Sequence, residues 1–78
     1  MKKQVMKLLR LAKREGDADA RDVLDYIKKC DLMNKTMTCT GSCYEWTYFK
    51  WDDITVHYNG LTEEITVYID NNHWTLCE

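Results

Sequence analysis

The stretch DDITVHYNGLTEEITVYIDN, residues 52–71, runs through one alternation twice. Ile54, Val56 and Tyr58 occupy every second position, as do Ile65, Val67 and Ile69, with Thr55, His57, Thr66 and Tyr68 between them. A period of two is that of a strand with one face buried and one wet. Asn59-Gly60 between the two runs, and Asp52-Asp53 and Asp70-Asn71-Asn72 at their ends, are turn formers, so the strands are expected to be antiparallel neighbours. An echo of eleven residues is too short for a solenoid unit and reflects two strands meeting the same packing demand. Trp74 and Leu76 extend the apolar face and His73 and Thr75 the polar one. Strand expectations are 36–39, 43–51, 54–58, 65–69 and 73–77.

Upstream, CTGSCYEWTYFKWDD (39–53) carries two cysteines around Thr40-Gly41-Ser42 and then five aromatic rings. Read as a turn followed by a long strand, it has an ambiguous pleat. Tyr44, Trp46 and Tyr48 fall on one side, Phe49 and Trp51 on the other. Either a bulge switches the faces near residue 49, or some of these rings lie in the open.

Before residue 35 the period is 3.6. Val5, Leu8, Leu9 and Ala12, widened by Met6 and Leu11, form the stripe of an amphipathic helix over 3–15. Ala20, Val23, Leu24, Ile27 and Cys30 do the same over 20–30, with Arg21, Asp25 and Lys29 spaced for i, i+4 charge pairs. Gly16 supplies a left-handed stop, and Asp17 or Asp19 a cap for the second helix. The expected architecture is α+β. An N-terminal helical hairpin (1–34) covers the apolar face of a four- to five-stranded antiparallel meander (35–78), all in one domain, 1–78.

A chain of 78 residues buries only about 60% of its unfolded surface, so its core must be dense and a deep substrate cleft is hard to build. The first fourteen residues lack the apolar run of a secretory signal. A cytoplasmic protein with reduced thiols is therefore expected, and no stretch is long and apolar enough for a membrane. The net charge of −2 hides a division. Residues 1–35 hold ten Lys or Arg and six acids; residues 36–78 hold Lys50 and seven acids. Opposite charges on the two halves, together with an open edge strand, point to a homodimer.

Chemistry-bearing patterns are sparse. Cys39 and Cys43 make one C-x3-C pair, whereas zinc sites draw on two close pairs. Cys30, His57, His73 and Cys77 are singles. The thiols read as small apolar fillers, and neither metal nor cofactor is expected. No nucleophile signature, phosphate loop or HExxH is present, and the chain is expected not to be an enzyme. Lys3, Lys7, Arg10 and Arg14 align on the first helix and could meet phosphates. Asp22 and Asp25 on the second helix would repel them, so direct nucleic-acid binding is the weaker reading.

The acidic half is more informative. Asp52, Asp53 and Asp70 should gather at one end of the sheet and Glu63 and Glu64 at the other, with Glu45 and Glu78 adding to the field. Tyr68, Trp51 and His57 would be contact groups on the uncovered face. These residues predict a non-enzymatic binding protein that inhibits or regulates a larger machine by docking on a basic protein surface, including that of a nucleic-acid-binding complex. The alternatives are a nucleic-acid-binding regulator using the basic row, or a zinc- or thiol-dependent mini-protein using Cys39 and Cys43. In size and composition alone, the chain is similar to inhibitors encoded by phages and other mobile elements, anti-CRISPR proteins among them. That likeness implies an anti-defence role and covers no defined residues.

Overall fold

The computed structural model describes residues 1–70 and 72–76; Asn71, Cys77 and Glu78, and the side chain of Trp74, lie outside the described residues. Helices α1 (Lys2–Arg14) and α2 (Ala18–Lys29) are followed by a 3₁₀ turn (Leu32–Asn34). The strands are β1 (Met37–Cys43), β2 (Trp46–Trp51), β3 (Ile54–Asn59), β4 (Ile65–Ile69) and β5 (Asn72–Leu76). They pair antiparallel in chain order, giving the α+β meander with an N-terminal helical hairpin.

The helices end where their chemistry says they must. Gly16 takes φ 94°, open to glycine and strained for other residues. Asp17 is the cap: its Oδ1 accepts from the backbone N–H of Asp19 (2.9 Å) and Ala20 (3.1 Å). Lys13 and Arg14 stand in the last turn of α1 and Lys28 and Lys29 in that of α2, where the helix dipole favours cations. Arg21, spaced for a pair with Asp25, instead sits 3.7 Å from its neighbour Asp22; both side chains are exposed, so this pair adds little.

The two helical stripes meet one face of the sheet. Val5, Leu9, Val23 and Ile27 are buried against Ile54, Val56, Ile65 and Val67, all at most 2% exposed. Trp51, also fully buried, is the largest side chain of this core. It was expected among contact groups on the uncovered face and instead lies under the helices. Pairing decides the matter. Trp51 is opposite Ile54 and Phe49 opposite Val56, so both share the apolar face with their partners. Its indole N–H donates to the Leu32 carbonyl at 2.6 Å, and Lys2 Nζ sits 5.6 Å above its ring. Lys2 also donates to the carbonyls of Met33 and Lys35, fastening the start of α1 to the 3₁₀ turn.

The 39–53 stretch departs from expectation in a second way. Thr40-Gly41-Ser42 is not a turn. β1 continues to Cys43, the reversal is made by Tyr44-Glu45, and the pleat shift falls between Cys39 and Gly41 in β1. β2 alternates regularly. A reversal at 40–42 would have left most of β2 without a partner on that side. Moving it to 44–45 extends the ladder from Met37–Trp51 to Cys43–Trp46, and one extra residue, Thr40, is taken up as a bulge.

Candidate functional site

The sheet face away from the helices carries a continuous row of rings. Tyr48 in β2 stands directly opposite His57 in β3, with ring centroids 4.7 Å apart and planes at 66°. His57 reaches diagonally to Tyr68 in β4 at 4.6 Å, and Tyr68 faces its ladder partner His73 in β5 at 5.6 Å. These separations are those of attractive aromatic pairs. Trp46, two residues before Tyr48 on the same face, completes with Tyr48, His57 and Tyr68 a shallow depression of about 300 Å³. Thr66 and Thr75, facing each other in the neighbouring ladder position, bring their hydroxyls to 3.4 Å.

Of the residues named from sequence, His57 and Tyr68 are therefore brought together in the middle of this face, and Trp51 is removed from it. Tyr48, Trp46 and His73 belong beside them, although the sequence alone does not mark them as contact groups. The signal existed in the alternation of β2, but its phase relative to β3 becomes visible only once Tyr48 is paired with His57.

Partial burial holds the His57 imidazole below its ordinary value of 6.5. At neutral pH the His57 imidazole at the centre of the row is thus uncharged, and the row is apolar in its rings and able to hydrogen-bond at its hydroxyl and imidazole edges. Lys50, on the same face, sends Nζ to within 3.5 Å of Thr55 Oγ1.

The acids frame the sheet at its two ends, as the register requires. Asp52 and Asp53 form the β2–β3 turn and Asp70 the β4–β5 turn; Ile54 pairs with Ile69, so all three occupy one end. Asp53 is partly engaged on the helical side, accepting from Tyr26 Oη at 3.4 Å. Burial first, then the neighbouring Cys30 and Asp53, push the Tyr26 phenol above its ordinary value. At the opposite end, Glu63 and Glu64 close the β3–β4 loop beside the Tyr44-Glu45 turn. Gly60 N–H donates to the Glu45 carbonyl at 2.8 Å, so the two turns form one structure. Asn59, buried at the base, holds that loop by accepting from Leu61 and Thr62 N–H at 2.9 and 3.2 Å.

Among the described residues, Cys39 and Cys43 do not converge. The bulge at Thr40 puts Cys39 at a helix-side position opposite Phe49 and Cys43 at an outer position opposite Trp46. Cys39 Sγ lies 3.7 Å from its own strand's Gly41 carbonyl. Among the described residues no three His, Cys, Asp or Glu side chains gather closely enough for a metal ion. Cys77, a further single thiol, lies outside the described residues, as does Glu78. Lys3, Lys7, Arg10 and Arg14 are exposed along α1, on the other side of the molecule from the ring row. No helix among the described residues is long and apolar enough to cross a membrane.

Compared with known proteins, the chain matches no protein-family model, no curated protein and no solved structure.

Proposed function

We propose that this is a non-enzymatic binding protein, acting in the cytoplasm, that inhibits or regulates a larger assembly by laying its uncovered sheet face on it. The observation that carries this reading is the row Tyr48–His57–Tyr68–His73, four rings each in contact with the next on a face that the chain's own helices leave bare. A protein of this size has few large apolar groups to spare from its core. Rigid tyrosines with polar tips are what tight interfaces place at their centre. Asp52 and Asp70 at one end and Glu63 and Glu64 at the other form an acidic border that would steer the face towards a basic protein surface. Such surfaces line nucleic-acid-binding complexes, and the similarity in size and composition to phage-encoded inhibitors supports that class of target.

The row could also stack unpaired bases, as sheet modules for RNA do. The acidic border opposes a phosphate backbone, so the protein partner is preferred. The test compares baits in an extract of the source cells. Wild type and a basic-row variant (Lys3→Glu/Arg14→Glu) should retain the same partner, and Tyr48→Ala/Tyr68→Ala and Asp52→Lys/Asp70→Lys should lose it. Circular dichroism should show all four folded. Loss with the basic-row variant alone would instead favour the nucleic-acid reading. Retention by all the variants would overturn both.

A further inference from the structure

On the far side of the molecule, α1 and α2 leave a groove of about 680 Å³ that the sheet does not reach. Its floor is Met6, Leu24, Ile27 and Met33, the last 47% exposed although the chain is short of core material. Four cations, Arg10, Lys13, Arg14 and Lys28, stand around it against two carboxylates, Asp25 and Asp31. An apolar floor inside a basic rim suits an apolar group carried on an acidic support.

The same chain displays that support. At the sheet end where the Tyr44-Glu45 turn is tied to the β3–β4 loop, Tyr44 is 97% exposed and Leu61 82% exposed. Glu45 follows Tyr44 in its turn, and Glu63 and Glu64 stand in the loop that carries Leu61. Tyr44 and Glu63 also hold left-handed backbone angles, φ 55° and 62°, which favour glycine or asparagine over either residue. Tyr44 therefore adds strain to its turn and next to nothing to the core.

We propose that this acidic knob docks into the helical groove of a second copy. In the folded molecule no residue of the knob is among those that line the groove, so one molecule does not satisfy this contact by itself. Knob and groove are different surfaces, so the association is head-to-tail and gives a ring or an open chain of subunits. It is independent of the ring-row reading and involves no outside partner.

Sedimentation of the purified protein across a wide concentration range, at low and high salt, tests it. The weight-average mass should rise with concentration and fall back as salt screens the contact. Leu61→Ser should weaken association about tenfold or more, the value of a buried leucine side chain. Arg10→Glu/Arg14→Glu and Glu45→Lys/Glu63→Lys should each be monomeric alone, and mixing these two variants should restore a complex through the exchanged charges. All the substituted residues are exposed, and unchanged circular dichroism checks that they fold. A protein that stays monomeric at every concentration overturns the proposal. So does self-association that ignores these variants, as pairing through the β1 edge would.

Discussion

The Trp51 indole donates its N–H to the Leu32 carbonyl at 2.6 Å, and both residues are 0% exposed. This bond joins the end of β2 to the 3₁₀ turn that follows α2, locking helical layer to sheet. The same carbonyl also accepts from Lys35 N–H at 2.9 Å, so removing the indole would not orphan it. Trp51→Phe should therefore cost one buried hydrogen bond and some volume, about 2 kcal/mol together. A domain of this length has roughly 4–12 kcal/mol in all. Urea unfolding should show a lower midpoint with cooperativity retained. An unchanged midpoint would mean the layers are held elsewhere.

Asp17 is a cap with two backbone donors on one oxygen. Asp17→Ala should lower stability by about 1 kcal/mol, and Asp17→Ser should recover most of it. Asp19→Ala, which removes no cap, should have a much smaller effect in the same melts.

Tyr44 gives a prediction of opposite sign. Its left-handed backbone costs a non-glycine residue about 1–2 kcal/mol, and the extra freedom of an unfolded glycine costs about 0.5–1 kcal/mol. Tyr44→Gly should thus stabilise the monomer by about 0.5–1 kcal/mol while reducing self-association. A variant that melts lower than wild type would contradict the strained turn.

His57 makes stability depend on pH. Burial lowers its pKa in the folded state below the ordinary 6.5, so the unfolded chain binds its proton first. This contribution is complete above 6.5. It is lost as pH falls from 6.5 to the lower folded value, and no further loss follows once both states are protonated. Urea midpoints for wild type should fall across this interval more steeply than those of His57→Gln. Parallel curves would place the pH response on other groups.

The parts of the fold that local pattern controls were legible in the sequence. The stripes Val5–Leu8–Leu9 and Val23–Ile27 and the alternation of β3 and β4 each carry their own period, and Gly16 and Asp17 mark the break between helices. β2 was not legible, because six residues containing four aromatic rings suit either face. Its phase is set from outside, by pairing with Ile54 and Val56. Local pattern therefore puts Trp51 on the wrong side and gives no reason to choose Tyr48, which completes the ring row. The reversal at Tyr44-Glu45 is hidden in the sequence for a related reason. Gly41 is the stronger local turn signal, but ladder length outweighs it. The groove between the helices was not legible at all, since it depends on how far apart α1 and α2 settle.

Each strand is laid down beside the one synthesised just before it, and the two helices are themselves adjacent in the chain. Ordering such a chain requires few large loops to be closed, so the search should be brief, within milliseconds. With no proline in the sequence, no slow isomerisation should trail behind it, and refolding traces should finish in a single fast exponential.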